Sequence, residues 1–590
     1  MAIINNHIEN IAEGRKAKAP YNFVPLNDDN IIARDLEDRV DYDIYHDDLY
    51  TGFIEIELET LTETLLRRSS DSPDFFTIGD QVLIPGSSIR GMIRSLVEIL
   101  SFGKFGNFED KKLFFRGFAD KTLGGEYRKA GLSDYNPRNR TSVYNCKAGL
   151  LTYNNRKFTI QPCGQPSQVT KNEVRQLFSQ NQKSYATFTY EKIKNKYYVI
   201  SGDMNNKRHD WCIDLNNKVG NPIAVKDSDI ESYEQDINRD TKQLDLLKLA
   251  RDGKEVPCFY IERGGSQIVF AHTPMMRLPY NYSIGDHIHD DHKDKNIYDF
   301  AELMFGCLRD ELSNSVVGKL FFEDANLIPG QKDIYSLDKP MICKPLLEPK
   351  PTTFQNYLVQ TSDNQANLFH YNKIGDKVAA IRGNKLYWHR TPDWKKEDQD
   401  MSKKGEYEAL INPIKAGIKF KGKIRFENLK YVELGMLLLA IDLPDGHAHK
   451  IGMGKPYGLG SIRINSELFI SDRYSRYINI SAEITDIESS SDQIEEFKIH
   501  AISAILRTFE NDEEAVDDEE AINEEKEEIK YTMDDFFKNK RIKELYRMLD
   551  FKNKPKNSQT RYMEIEHKTP DGRKNNEFRE RPVLPLPTKV

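Results

Sequence analysis

Cysteine is scarce and scattered in this chain. Six residues, Cys146, Cys163, Cys212, Cys258, Cys307 and Cys343, are spread along 590 positions with no CxxC pair. That pattern argues against a disulfide framework and against a zinc ribbon, and predicts buried thiols. Long apolar runs are missing too. No stretch approaches the roughly 18 uninterrupted apolar residues of a membrane span, and the N-terminus, MAIINNHIENIAEGRKAKAP, carries no apolar run of the signal-peptide kind. A cytoplasmic protein with no membrane partner is expected. Positive charge is also in deficit, with a formal net charge of -8. The deficit is local, however: the segment Glu510 to Ile529 (ENDEEAVDDEEAINEEKEEI) is mostly Asp and Glu. The preceding chain is therefore nearer neutrality and has room for basic faces. No internal repeat stands out.

What is present is a pair of strand-helix units far apart in sequence. Residues Phe53 to Leu61 alternate apolar and polar side chains, the period-two pattern of a strand with one buried face. A loop rich in Ser, Asp and Thr follows, then IPGSSIRG, then a helix whose Ile89, Met92, Ile93, Leu96, Val97 and Leu100 recur at helical spacing, with Ser87 or Ser88 as its cap. Near the other end, Ile418 to Phe426 alternates again, Val432 to Ile441 reads as an apolar helix, and Ser461 to Ile464 restarts as a strand after a glycine-rich loop. Two such units sharing one antiparallel sheet, with two helices behind it, make an α+β, ferredoxin-like (RRM-type) core. A core of that kind needs only about 100 residues, so large insertions must separate its halves.

The chain then divides into an N-terminal extension (1–49), a first core part (50–169), an inserted module (170–254), a second core part with the glycine-rich loop (255–470) and a helical, acidic C-terminal extension (471–590). Within the insertion, KSYATFTYEKIKNKYYVISGD reads as a β-hairpin and IESYEQDINRDTKQLDLLKLARDGK as a helix. FAELMFG and VVGKLFFEDANLI read as helix, turn and strand returning to the core. Beyond residue 472, EEFKIHAISAILRTFE reads as a helix, the acidic run as a solvated linker, and the last residues as a flexible basic tail.

Two motifs carry chemistry. In Ile84-Pro85-Gly86-Ser87-Ser88-Ile89-Arg90-Gly91, with Arg94 one turn on, the backbone N–H groups of a helix N-terminus favour a phosphate, glycines permit close approach, and Arg90 and Arg94 share a face. An ordinary capped helix with two solvated arginines reads the same way. In Lys450-Ile451-Gly452-Met453-Gly454-Lys455-Pro456-Tyr457-Gly458-Leu459-Gly460, glycines let the main chain hug a sugar-phosphate backbone, Lys450 and Lys455 neutralise it, and Tyr457 offers a stacking face. A glycine-rich turn is the plain alternative. A dinucleotide loop is excluded by context, because these glycines precede a strand rather than a helix. The strand Lys385 to Arg390 (KLYWHR) presents Tyr387 or Trp388 and Arg390 for stacking and phosphate contact, with burial expected for the Trp388 ring and exposure for Arg390.

Histidines cluster twice. His287, His289 and His292 lie among Asp286, Asp290 and Asp291, a set that suits a metal but equally a hydrophilic loop, which is the favoured reading. His447 and His449, read as exposed, precede the glycine-rich loop, where an imidazole can serve as general acid or base.

The PGSSxRG-like helix entry together with the C-terminal glycine-rich loop resembles the RAMP (repeat-associated mysterious protein) superfamily of CRISPR-associated proteins. FFRGFAD (114–120), VGKLFFEDA (317–325), PKPTTFQNYL (349–358), IRGNKLYWHR (381–390) and IRFENLKYVELGMLLLAIDLPD (424–445) are similar to one long-chain family of type III systems. The resemblance spans roughly residues 50–470, with 170–254 poorly matched. It implies a Cas-seven-like backbone subunit that holds guide RNA (crRNA) across one face of the sheet, beside complementary target RNA and other CRISPR effector subunits. It also implies, in type III complexes, cutting of the target by a loop aspartate between the first strand and first helix with a divalent metal such as Mg²⁺. Asp71, Asp74 and Asp80 occupy that loop. Two other readings are a guide-processing endonuclease using His447 and His449, and a catalytically inactive structural subunit.

Overall fold

Alternation decides the centre of the molecule. In this computed structural model the strand over residues 50–60 turns Ile54, Ile56 and Leu58 into the core and Phe53, Glu55, Glu57 and Glu59 outward. The structure describes the chain apart from residues 1, 27–30, 33, 35–38, 70–71, 107, 118–120, 131–133, 137–140, 144–145, 183–187, 202–206, 237–243, 265–266, 347–349, 373–374, 406, 480, 482–484, 510–530 and 569–573. The acidic run and Asp71 therefore lie outside the described residues.

The central strands are β1 (Tyr50–Thr60), β2 (Thr77–Ile78), β3 (Gln81–Ile84), β4 (Leu320–Phe322), β5 (Ala325–Leu327), β6 (Lys419–Leu429), β7 (His449–Lys450), β8 (Ser461–Asp472) and β9 (Thr485–Glu488). Helix α1 (Gly86–Leu100) follows β3 and α2 (Tyr431–Ile441) follows β6. Strand order is β7-β8-β1-β6-β5-β3-β2, with β4 also on β6 and β9 on β8. The pairings are antiparallel: Ile54 faces Ile424 of β6 on one side and Leu468 of β8 on the other. The strand-helix pairs β1-α1 and β6-α2, more than three hundred residues apart, thus share one sheet, their long strands β1, β6 and β8 side by side. Helix α1 contributes Ile89, Ile93, Leu96 and Val97 to the same core as the inward residues of β1 and α2. VGKLFFEDANLI returns to this sheet as β4 and β5, fixed by Lys319, whose Nζ donates to both carboxylate oxygens of Glu433 at 2.7 and 2.8 Å.

Helix α3 (Ser491–Thr508) covers α2 from behind, and α4 (Lys540–Leu549) adds Ile542, Leu545 and Leu549 to the same core. A side chain at Gly435 would run into the carbonyl of Phe497, so glycine sets the close α2–α3 contact.

A second body stands on two more antiparallel sheets. One orders Ile223–Ala224, Lys157–Pro162, Lys147–Asn154, Val256–Arg263 and Gln267–Ala271; the other orders Ser167–Thr170, His209–Asp214, Lys196–Ile200 and Thr189–Ile193. Residues 170–254 divide between these two sheets. The expected hairpin is Thr189–Ile193 with Lys196–Ile200. The single helix read over Ile230 to Lys254 is instead two short ones, Asp227–Glu234 and Leu246–Arg251, the second burying Leu246, Leu247 and Ala250 against Val256, Cys258 and Tyr260.

The end of the chain also differs from expectation. Val583, Leu584 and Leu586 are buried, and the carbonyls of Leu584 and Pro585 accept hydrogen bonds from Arg382 and Asn22. The apolar VLPLP outweighs the preceding charges and docks the tail against the N-terminal strand region.

Candidate nucleic-acid interface

The α1 entrance is assembled from within the protein. Pro85 occupies the N-cap position and Ser87 and Ser88 lie inside the first turn, so neither serine caps the helix. The first free N–H, that of Gly86, donates to Asp324 Oδ1 at 2.7 Å, a carboxylate delivered by the β4–β5 connection. Gly86 is glycine because a side chain there would meet the carbonyl of Phe322. Arg90 and Arg94 do share a face, but they use it on the C-terminus of the helix Phe300–Phe305: Arg90 Nη2 donates to Phe305 O at 2.6 Å, Arg94 Nη1 to Gly306 O at 3.3 Å, and Arg94 Nε to Glu98 at 2.9 Å. Orphan carbonyls at a helix end are the anionic partners here.

The glycine-rich loop is held in a similar way. Gly452, Gly454, Gly458 and Gly460 all have positive φ. At Gly452 a side chain would meet the carbonyl of Leu65, and at Gly460 that of Ile451, so close approach to this chain's own backbone requires glycine at both. Arg390, expected to be exposed, is 3% exposed; its Nη1 donates to Pro456 O at 2.9 Å and Thr560 O at 2.7 Å. Those carbonyls solvate the guanidinium and let it tie the loop to the C-terminal extension. Trp388 is buried as expected. Tyr457 donates from its hydroxyl to Pro345 O at 2.8 Å and sets its ring edge against Tyr562.

The two motifs meet in one cleft of about 720 Å³. Ser87, Ser88 and Gly91 of α1 form one wall, and Lys450, Gly452, Met453 and Lys455 the opposite one; Leu66, Arg67 and Phe76 of the β1–β2 loop and Lys385 to Tyr387 complete it. Arg90, Arg94, Arg390 and Tyr457 are not among its lining residues. Four cations line the cleft and no carboxylate does.

The three lysines among them are pushed below the usual lysine value. Lys385 Nζ donates to the Tyr357 hydroxyl at 2.9 Å and lies 4.0 Å from the centre of the Tyr21 ring, and burial pushes its pKa down to about 8. Lys450 Nζ donates to Ser461 Oγ at 3.1 Å; burial first, then the nearby charges of Lys455 and Arg390, hold it well below the usual lysine value. Ser461 Oγ lies 2.9 Å from His389 Nδ1, and His389 Nε2 donates to Ala448 O at 3.0 Å, which fixes the tautomer. Burial also lowers Lys455, which makes no hydrogen bond or ion pair among the described residues. Desolvated lysines facing one space without a counter-ion favour an anion there.

The histidines before the loop differ from expectation. His449 is 2% exposed, donates from Nε2 to Ala440 O at 2.8 Å, and is pushed down to about 4 by burial, so near neutral pH it is an uncharged ring with Nδ1 unpaired. His447 is half-buried with its ring edge on Tyr546. His449 lacks the proton a general acid would give.

Of the loop aspartates, Asp74 is exposed and accepts from Asn412 Nδ2 at 3.3 Å; Asp80 is exposed on the β2–β3 turn. Among the described residues no group of three or more His, Cys, Asp or Glu side chains is placed to hold a metal. A Mg²⁺ ion usually keeps several waters and binds one or two carboxylates plus substrate phosphates, so Asp74 or Asp80 offers at most one ligand and no preformed site. In DHIHDDHKD the imidazoles hold separate segments: His287 contacts Ala379 O at 2.6 Å, His289 contacts Asn5, and His292 Nδ1 accepts from Phe105 N at 2.9 Å.

The open face of the sheet has a different electrostatic character. Lys421 pairs with Glu55 at 2.6 Å and Lys419 with Glu57 at 2.8 Å, while Phe53 stacks on Phe469 under Lys423. Charge on these strands is internally balanced, whereas the cleft carries it unbalanced. The cleft residues that the motif reading missed are Arg67 and Lys385, and outside it Asp324; of these Lys385 and Asp324 stand inside the quoted stretches IRGNKLYWHR and VGKLFFEDA. Among the described residues no helix is long and apolar enough to cross a membrane.

Comparison with known proteins supports the first part of the sequence resemblance, the PGSSxRG-like helix entry and FFRGFAD, and does not extend to the glycine-rich loop. No curated protein matches the chain. The family model of the RAMP superfamily matches residues 57–262, a span that begins in β1, includes α1 and runs through the second body to the strand Val256–Arg263. Over those residues the chain is similar to the RAMP superfamily.

Proposed function

We propose that this protein is a guide-RNA-binding backbone subunit of a type III CRISPR effector complex, built on a ferredoxin-like core and gripping the RNA backbone in the cleft between α1 and the glycine-rich loop. The observation that carries the reading is the meeting of two sequence motifs some 360 residues apart around one cleft whose lining has cations and no carboxylate. The strand order β8-β1-β6-β5, with α1 and α2 on the inner face, supports a ferredoxin-like core. Lysines without counter-ions suit the sugar-phosphate backbone. Cutting of paired target RNA belongs to this proposal through the β1–β2 loop, whose Leu66, Arg67 and Phe76 line the cleft; Mg²⁺ bound jointly by one loop aspartate and the RNA phosphate would serve as the Lewis acid. His447 and His449 are not assigned a catalytic role.

The test is salt-dependent RNA binding by the full-length protein. Lys455→Ala and Arg67→Ala should each lower the slope of log affinity against log salt by about 0.7 to 0.9, one phosphate contact apiece. Arg90→Ala, which removes a contact to Phe305 O, should leave the slope unchanged. Equal slopes in parent, Lys455→Ala and Arg67→Ala would remove the cleft as the RNA site. Cleavage of complementary RNA by the assembled complex, with Asp71, Asp74 and Asp80 changed singly to Ala, tests the nuclease part, and undiminished cutting in all three refutes it.

A further inference from the structure

The second body contains a like-charge contact that its own fold does not explain. The strand Lys112–Phe115 pairs antiparallel with Leu278–Ser283, Phe115 facing Leu278. Extending that register by one step sets Arg116 opposite Arg277. Directly opposed like charges destabilise a strand pair, and here neither guanidinium makes a hydrogen bond or ion pair among the described residues. Arg277 Nη1 is buried without a partner, and Arg116, although its side chain is exposed, has its pKa lowered by partial desolvation and by the charge of Arg277. Both arginines line a cavity of about 270 Å³ whose other walls include Phe188, Trp211, Tyr233 and Phe270.

Two carboxylates also line this cavity. Asp229 is buried and accepts from the Lys226 backbone N–H, and Asp236 acts on Arg116 only as a weaker, opposing influence. His272 also lines the cavity, with its ring edge on Phe188.

We propose that this cavity is a binding site for one phosphorylated nucleoside, its phosphate held between Arg116 and Arg277 and its base against the aromatic wall. A phosphate dianion accepts from two guanidinium forks and relieves the repulsion between them, an interaction that arginine geometry favours. Aromatic rings stack on any base and so supply affinity without sequence choice. The volume limits the ligand, because it lies just below the roughly 300 Å³ at which pockets for larger organic ligands begin. One nucleotide is the appropriate scale. The site lies in the second body and is independent of the cleft reading; its ligand is either a free nucleotide or the phosphorylated end of an RNA strand.

Titration calorimetry of the full-length protein with 5′-AMP, with adenosine, and with one short RNA carrying either a 5′-phosphate or a 5′-hydroxyl separates these sources. Binding of 5′-AMP but not adenosine, weakened at least tenfold by Arg277→Gln and by Arg116→Gln, is expected for a free nucleotide. A 5′-phosphate preference abolished by the same substitutions, without 5′-AMP binding, assigns the site to an RNA end. Because both RNAs share every cleft contact, their difference does not depend on the α1 cleft. Neither arginine has a partner to lose, so both variants should melt no lower than the parent without ligand. If neither 5′-AMP nor the 5′-phosphate is preferred, or if folded Arg277→Gln and Arg116→Gln bind like the parent, the proposal is overturned.

Discussion

Asp324 separates two effects that usually change together. Its Oδ1 accepts the Gly86 N–H at 2.7 Å, and Gly86 lies between Pro85 and Ser87, both cleft-lining residues. In Asp324→Ala the helix loses a cap acceptor, which costs about 1 kcal/mol, and a favourable charge at its positive end, worth about 0.3 to 1 kcal/mol. Helix α1 should therefore lose about 1 to 2 kcal/mol of local stability. Asp324→Asn keeps an oxygen acceptor and loses only the charge, so it should lose less than half as much. RNA binding should move the other way in both. Removing one negative charge at roughly 8 Å from a bound phosphate relieves about 0.5 to 1 kcal/mol of repulsion at effective dielectric constants between about 80 and 40, a two- to fivefold gain in affinity at low salt. Hydrogen exchange of the α1 amides reports the first effect and filter binding the second. If Asp324→Ala and Asp324→Asn match the parent in both, Asp324 is neither the cap of α1 nor a determinant of the field in the cleft.

Two further outcomes follow from groups already described. Lys319→Met strands the Glu433 carboxylate in a site where both partners are 2% exposed, and should destabilise the central sheet by about 3 to 5 kcal/mol; Lys319→Met with Glu433→Gln should recover most of this in thermal melting, and failure to recover would show that the pair is not the source of the loss. For Lys385 the folded value of about 8 lies below the unfolded lysine value, so the folded protein binds fewer protons than the unfolded chain in between. Its contribution to stability rises with pH from about 8 to 10, while a bound phosphate favours the charged amine, so RNA affinity should fall over the same interval. Lys385→Arg, charged throughout, should flatten that affinity profile, and an unchanged profile would exclude Lys385 as the titrating group.

Much of the central sheet was legible because its strands face a core on one side only. β1 and β6 each show period-two alternation, and that pattern allows one register face to be buried. The two motifs were legible as punctuation between elements, and the cleft they form depends only on β8 lying beside β1. What the sequence concealed was the identity of each motif's partners. Arginine at helical spacing looks the same whether it meets phosphate or the carbonyls of Phe305 and Gly306, and glycine admits RNA backbone or the carbonyl of Leu65 on equal steric terms. Those partners come from positions tens to hundreds of residues away, beyond any local pattern. The tail was misread for a related reason: residues 583–586 are too few to show a period, and only the groove beside Arg382 and Asn22 decides that they are buried.

The distribution of partners is itself a guide to function. Several arginines that support the fold are supplied with acceptors: Phe305 O for Arg90, Pro456 O and Thr560 O for Arg390, Leu584 O for Arg382. Against that background, basic groups that face a concavity and make no ion pair among the described residues draw attention in two places, the α1 cleft with Lys455 and the cavity with Arg116 and Arg277, the second of which is also lined by Asp229 and Asp236. Desolvating a cation without a counter-ion costs free energy, so a fold that keeps such groups concave and close together is organised around an anion it does not itself provide. In the cleft the cations come from three chain segments far apart in sequence, which suits an extended polyanion; in the cavity two guanidinium groups face one small volume, which suits a single phosphate.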